Sequence, residues 1–311
     1  MSRATGLHVG LIVLLLALNF VLPAYHHGNL ARIMVLAVYA MGYNIMFGYT
    51  GLLSLGHAMF FSAGMYGMGL PMRLWEIPIG VAFVLGVLTA AVFSLIVGFL
   101  ALRTIGVAFM IVTLMFSQAI FLTILYFNPF TRGDEGFVIP QAARQVAGID
   151  LSDAQNRYLA AWVLFSVCLM AVLKLVRSRK GRVLIAIREN EERACMLGYD
   201  TWAHKLFAVV ASGTMAGAAG AAYGALFGSV GASFAEVPFS ILPLLYVLLG
   251  GPGTVVGPFI GTLFMFYLRD ISSTLTDAHM LVAGVVLILL TLYARRGIMG
   301  LVRERWAKWL P

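Results

Sequence analysis

The sequence predicts an all-α polytopic membrane protein, a single transmembrane domain over residues 1–311 with about ten membrane segments, some of them short or glycine-broken. Three observations predict it. Hydrophobic residues make up 61% of the chain and charged residues 11%, where a soluble domain carries about 25% charge. No Asp, Glu, Lys or Arg occurs in 4–31, 33–72, 77–102, 104–131, 158–173, 206–235, 237–268 or 278–294. The charge that remains gathers in short islands, the densest at 178–200.

A spanning helix needs roughly 20 apolar residues. Most of the runs hold one span, and 33–72 and 237–268 are long enough for two, the latter pair short. The first run follows Arg3 as a signal peptide would. It lacks a small-x-small cleavage site before a polar mature sequence, and more membrane follows at once, so it reads as a retained first helix. The longest polar stretches, 128–157 and 174–205, leave no room for a soluble domain.

Within 33–72 the stretch from Gly48 reads GYTGLLSLGHAMFFSAGMYGMGL. Backbone that leaves the helix inside a membrane must be buried in protein or line water. Ser54, Gly56, His57, Phe60, Phe61 and Ser62 are therefore candidate lining of a translocation path. Close helix packing through small residues would use the same glycines. His57 is the one histidine inside a long apolar segment and away from a span end. An ionisable group there is a functional candidate, and a packing hydrogen bond would serve it equally.

The 128–157 loop carries FNPFTRGDEGFVIP. Its carboxylates Asp134 and Glu135 have no histidine, nucleophile or metal-ligand set beside them, so acid–base chemistry is not indicated. With Arg132 they suit docking or gating at the outer face, or a solvated loop.

The island 178–200 carries five basic residues (Arg179, Lys180, Arg182, Arg188, Arg193) and four acidic ones (Glu189, Glu191, Glu192, Asp200). It predicts a helix over about 181–198, entered at Gly181 and stopped at Gly198. Glu189 and Arg193 fall at i,i+4, and Val183, Leu184 and Ile187 make an apolar stripe. Such a helix fits a groove on a soluble partner, or merely joins two spans.

In 206–235, Gly213, Gly217, Gly220, Gly224 and Gly228 recur every three or four residues, the pattern of close helix contact. Gly250, Gly251, Pro252 and Gly253 break the 237–268 run, and Pro258 sits where a helix start tolerates proline. The basic tail ends in WAKWL, a topology anchor whose Trp306 and Trp309 suit the headgroup level. Cys168 falls mid-span and Cys195 in the island, so they form no disulfide framework and no metal spacing. The net charge of +8 comes from loop charges and indicates neither nucleic acid nor an acidic substrate.

With the island cytoplasmic and the segments alternating, all but six of the 21 basic residues fall on the inner side. The six are Arg32, Arg73, Arg132, Arg144, Arg157 and Arg269. Both termini are then cytoplasmic and 128–157 lies outside. An ion-coupled secondary carrier would need membrane carboxylates, which the charge-free runs lack, and an intramembrane protease would need a second histidine within a span.

GYTGLLSLGHAMFFSAGMYG at 48–67, TRGDEG at 131–136, GRVLIAIRENEERACMLGYD at 181–200 and LLGGPGTVVGPFIG at 248–261 together resemble the permease subunits of branched-chain amino acid ABC importers, the LivH/LivM family, and their order and spacing are LivM-like. The resemblance implies an ATP-driven importer of branched-chain or other small neutral amino acids in the bacterial cytoplasmic (inner) membrane, among lipid. It implies a LivH-like sister permease, two ATP-binding subunits and a periplasmic substrate-binding protein as partners. It also makes 181–198 the coupling helix. There Gly181 gives the entry turn, Arg182, Arg188, Glu189, Asn190 and Glu192 the polar contacts with the ATPase, and Ala186 and Ile187 the buried knobs. The chain has no G-x-x-x-x-G-K-[ST] loop. ATP and Mg thus belong to the partner subunits, and no cofactor is expected on this permease, which is not itself an enzyme. One departure stands out: the family's outer motif more often reads TGG-x-x-G, and here Arg132 follows Thr131. Close relatives handle urea and short amides, so the departure bears on substrate.

Overall fold

A computed structural model describes residues 3–146, 148–275, 284–285 and 297–305. Twelve helices run in chain order: α1 Arg3–Val21, α2 Ala24–Asn44, α3 Ala58–Trp75, α4 Ile79–Ala101, α5 Val107–Tyr126, the short α6 Asn128–Thr131, α7 Ala154–Arg177, α8 Arg179–Glu189, α9 Glu191–Met196, α10 Thr201–Phe227, α11 Val237–Gly250 and α12 Gly257–Leu275. A further helix, Gly297–Arg305, follows. Five of the described helices are long and apolar enough to cross a membrane, and Thr5–Val21 and Val237–Gly250 are shorter apolar helices. The predicted segment 278–294 and the tail tryptophans lie almost wholly outside the described residues.

The bundle is built around α2. Nearly all of its spanning window is buried, 89%, against 28% for α4 and 22% for α5. On α4 the residues Val81, Val84, Leu88, Val92 and Leu95 recur at helical spacing and are all exposed, so that apolar face lies outside the chain's own core. Lipid tails give helices no hydrophobic reason to associate, and close contact has to supply it. The α10 glycines do so. A Cβ on Gly217 would stand 2.0 Å from the Ala90 Cβ, and one on Gly220 1.9 Å from the Phe61 carbonyl. α3, α4 and α10 therefore pack backbone to backbone. α1 is held on α7, where Tyr158 and Trp162 donate to the carbonyls of Leu15 and Ile12.

Contacts define two ends. The island end gathers Asn44, the α8–α9 island and the Gly251–Gly253 turn, with Thr5 accepting from Arg177. The loop end gathers Tyr25, the 128–153 loop and Phe227. The loop carries Phe137–Val138, paired antiparallel with Ser229–Val230, and a second short antiparallel ladder of Gln145–Val146 with Ile149–Asp150. The second ladder is clipped by Asp150, whose carboxylate accepts from the Ser152 amide and from Gln141, and these bonds hold its pKa below the ordinary carboxylate value.

Two expectations need correction. The island is two helices rather than one, because Asn190 adopts an extended conformation (φ −161°) and caps α9 by accepting from the Arg193 amide. The Glu189–Arg193 spacing therefore does not run along one helix. Arg32 and Arg269, read as lying outside the spans, lie within α2 and α12.

Gly64 has its Cβ position 2.1 Å from the Gly217 carbonyl, whereas Gly80 has nothing within 4 Å. Gly64→Ala should cost about 1–3 kcal/mol and visibly lower the unfolding temperature of the detergent-solubilised protein. Gly80→Ala should leave it unchanged or slightly higher. Equal loss in both would show that the close approach is not what holds α3 to α10.

Candidate functional site

Two interruptions of helical backbone meet in the middle of the bundle. The first follows α2. The helix loosens into a π turn at Ile45–Tyr49 and then leaves helical geometry until Ala58, with Gly51 at φ +79°. The second follows α10. The chain turns at Gly228 (φ +73°), pairs briefly with the 128–153 loop at Ser229–Val230, makes a 3-10 turn at Ala232–Ala235 and starts α11 at Val237. α3 and α11 thus begin inside the bundle.

Side chains from neighbouring helices answer the exposed backbone. The Tyr43 hydroxyl donates to the Ser54 carbonyl at 2.9 Å, and the Leu55 amide donates to the Thr113 hydroxyl at 3.3 Å. The first amide of α3, on Ala58, donates to the Ser240 hydroxyl of α11 at 2.9 Å. Ser117 of α5 donates to the Ala235 carbonyl of the second break. Gly56 lies so close to α5 that a Cβ would sit 1.9 Å from the Thr113 carbonyl.

Between the two breaks stands a closed aromatic stack. The Tyr39 ring lies flat between His57 (centroids 5.2 Å apart) and Phe239 (5.5 Å). Tyr43 and Phe60 meet the edges of His57, and Phe61 packs on Tyr39, Phe234 and Phe239. All six predicted path residues, Ser54, Gly56, His57, Phe60, Phe61 and Ser62, are buried here, so the centre is shut in this conformation. They differ in what they have left to offer. Ser54 accepts from the Gly56 amide and Ser62 donates to the Met59 carbonyl. His57 is fully buried and neither ring nitrogen has a hydrogen-bond partner among the described residues.

At the island end, Arg188 reaches from α8 and donates to the Gly48 carbonyl in the π turn. Asn44 bridges to the other half of the bundle, donating to the Thr254 carbonyl (2.9 Å) and accepting from the Gly253 amide (3.0 Å). Arg303 donates to the Gly253 carbonyl. The charged island is thereby fixed to the first break and to the α11–α12 turn. Sequence reasoning missed Asn44, Ser240 and the inward reach of Arg188. An asparagine inside the apolar run 33–72 was the one available signal.

The other predicted island residues fall differently. Gly181 is not an entry turn. It lies in the first turn of α8, capped by Ser178, where a Cβ would meet the Leu175 carbonyl at 2.3 Å. Ile187 is buried within the chain against Val183 and Ala194 and is no knob for a partner. Ala186 is half-buried, and Arg182, Glu189, Asn190 and Glu192 are exposed. The apolar groups that do face outward are Met196 and Leu197, 84% and 76% exposed. α9 is fixed to α10 by the Lys205–Glu191 ion pair.

At the loop end, Arg132 takes a left-handed conformation (φ +62°) after α6 and lines a cavity of about 770 Å³ with Arg73, Glu76 and Phe137. Asp134 and Glu135 are exposed beside it and do not line it. Thr131 closes the turn, donating to the Ile124 carbonyl and accepting from the Gly133 amide. No group of three or more His, Cys, Asp or Glu that could hold a metal occurs among the described residues.

Residues 27–291 match the model of a family described as branched-chain amino acid transport system / permease component. The high-affinity branched-chain amino acid transport system permease protein LivM of Escherichia coli K12 is 26% identical, over 96% of this chain and 75% of that protein. Its counterpart in Salmonella typhimurium LT2 is also 26% identical, over 88% of this chain and 69% of that protein. The probable branched-chain amino acid transport permease protein LivM of Methanocaldococcus jannaschii is 24% identical, over 79% and 69%. No solved structure matches significantly.

An unsatisfied buried imidazole costs the resting fold about 1–3 kcal/mol. His57→Leu should therefore leave thermal stability unchanged or higher while lowering throughput of the assembled protein. Lost stability with unchanged throughput would mark His57 as a packing residue.

Proposed function

Because this chain belongs to the family of branched-chain amino acid transport permease components, and is thus the membrane subunit of an ABC importer rather than an enzyme, we propose that it carries branched-chain or other small neutral amino acids inward through the centre closed by Tyr39, His57 and Phe239. The observation that carries this reading is the meeting of two broken segments at that centre, with Arg188 linking the first of them to the charged island. Alternating access needs a barrier that two packed halves can open, and a break lined by protein is where a membrane helix bundle can build one.

In this reading the chain crosses the membrane about ten times, with the island and both termini cytoplasmic and 128–157 outside. It pairs with a LivH-like sister permease above two ATP-binding subunits, which hold ATP and Mg, and receives its solute from a periplasmic binding protein. The island is the coupling element. Its partner-facing surface is Met196 and Leu197 with Arg182, Glu189 and Glu192 around them, while Ile187 fastens it to its own chain. A push on α8 reaches Gly48 through Arg188. Arg132, Asp134 and Glu135 form the rim on which the binding protein sits. The neutral inner path sets the substrate class, since an unpaired charge at mid-membrane costs at least ~2.5–3.5 kcal/mol.

Reconstituted with its partner subunits, the protein should accumulate leucine, isoleucine or valine in an ATP-dependent manner and in clear preference to lysine and glutamate. Preferred uptake of urea or short amides would move the substrate class, and uptake driven by an ion gradient without ATP would overturn the reading.

Met196→Asp with Leu197→Asp should detach the ATP-binding subunits and leave the membrane fold intact, as co-purification would report. Arg188→Ala should keep the complex together and lower solute moved per ATP hydrolysed severalfold. A normal transport-to-hydrolysis ratio in Arg188→Ala would remove the link from its place in coupling.

A further inference from the structure

A second cavity, about 320 Å³, opens at the loop end between α2, α10, α11 and α12. Three charged side chains face it: Arg32 from α2, and Arg269 and Asp270 from α12. Arg32 is no loop residue. It follows eight residues of α2, about 12 Å into the helix at 1.5 Å per residue. Arg32 is exposed and Arg269 and Asp270 are half-buried, so the three charges stand at an open mouth, and charged side chains along membrane helices mark a path or a ligand.

These charges do not serve one another. Among the described residues neither arginine makes an ion pair, and the Asp270 carboxylate accepts one hydrogen bond through Oδ2, from the Tyr25 hydroxyl at 2.9 Å. Arg32 lies over the Phe227 ring, 5.1 Å from its centroid, a contact that holds the guanidinium in place without satisfying its fork of donors. Apart from Ser273, the remaining wall is apolar or aromatic, including Leu36, Leu242 and Phe266, with the Tyr223 and Tyr246 rings beside them. Its floor is Phe239, the ring that stacks on Tyr39 and through it on His57. The cavity therefore stands directly on the closed centre, on the loop side.

Two guanidinium groups, one carboxylate and an apolar floor in a volume at the small end of ligand pockets describe one chemical class. A guanidinium pairs with a carboxylate through two parallel hydrogen bonds. A carboxylate with one oxygen free accepts from an ammonium. The lining admits both ends of a small zwitterion with an aliphatic side chain. Its net charge is positive, which disfavours a solute carrying an additional cation.

Resting on the reading of this chain as an amino acid importer, we propose that this cavity is the outer receiving site. Arg32 and Arg269 take the α-carboxylate of the solute, Asp270 takes its α-ammonium, and Phe239 supports its side chain above the closed centre.

The test uses the assembled complex in vesicles, with Ser273→Cys as reporter on the cavity wall and Cys168 and Cys195 replaced by serine. Leucine should slow labelling by a membrane-impermeant maleimide severalfold. Leucinamide, lacking the carboxylate, and 4-methylpentanoate, lacking the ammonium, should not. Arg32→Gln and Asp270→Asn should each abolish the protection and lower leucine uptake about tenfold, the scale of one lost charged hydrogen bond. Arg32→Lys should retain part of both, and ATP hydrolysis stimulated by the binding protein should persist in all three. Leu242→Cys is the second reporter if Ser273→Cys does not assemble. Vesicles that accumulate leucine while leucine leaves both reporters unprotected overturn the site and leave the function standing. Protection that survives Arg32→Gln and Asp270→Asn also overturns it. Vesicles that accumulate no small neutral amino acid and show no protection overturn both.

Discussion

A backbone amide that leaves the helix inside a bilayer finds no water, so the protein must answer it or lose several kcal/mol for each unmet group. The centre of this chain is organised by that constraint. Between α2 and α3 the answers come from α2 itself (Tyr43), from α5 (Thr113) and from α11 (Ser240). Between α10 and α11 they come from α5 again, through Ser117, and from the 128–153 loop, through the Phe137–Val230 ladder. No break is satisfied by its own helix alone. Each can exist only when several helices stand in register, so the two breaks and the helices around them form one cooperative unit.

That register is held by close contact rather than by greasy surface. Gly56 against Thr113, Gly64 against Gly217 and Gly220 against Phe61 are positions where a single added carbon would collide with backbone. They fix how far α3 stands from α5 and α10, and therefore where Ala58 and His57 lie. The same economy explains the island. Gly181 lets α8 lie against the end of α7, and Ile187 with Val183 and Ala194 fastens α8 to α9. The fastened island then presents Arg188 to Gly48. A helix moved at that end cannot move alone, since Asn44 ties the same turn to Gly253 and Thr254 across the bundle.

The class of fold was legible because lipid imposes its signature residue by residue: runs without charge, glycines at helical spacing, and breaks marked by Gly48, Gly51 and Gly250–Gly253. The first break and the α11–α12 turn were legible for the same reason, whereas the break after Gly228 was not, since that glycine reads as one of a helix-contact series. What escaped was anything set by which face of a helix a residue takes. Val183, Leu184 and Ile187 make a true stripe, but periodicity says only that they share a face, and that face turns toward the chain's own core. Asn190 looked like one polar residue among many, and its side chain competes with the helix well enough to divide it. Arg32 and Arg269 were read as lying outside the spans because a charge between apolar runs has two physical meanings: the end of a span, or a site that faces a cavity within one. Composition cannot separate them, whereas the cavity they share can.

The placement of charge also orders the route a zwitterion would take. At the loop end it meets fixed partners of both signs. One layer deeper, at Tyr39, His57 and Phe239, the described walls hold none, and the solute gives up ionic contacts worth at least a few kcal/mol in that medium. Part of the loss is offset by the backbone itself. α3 starts at that level, and a helix start carries about half a positive charge, whereas the start of α11 has the acidic residue Glu236 as its N-cap. The Ala58 amide is held by Ser240 while the centre is closed, and any separation of α3 from α11 frees it together with the unpaired nitrogens of His57. On the proposed route, opening the aromatic stack would therefore expose donors at the level where the breaks, the stack and the unsatisfied histidine meet.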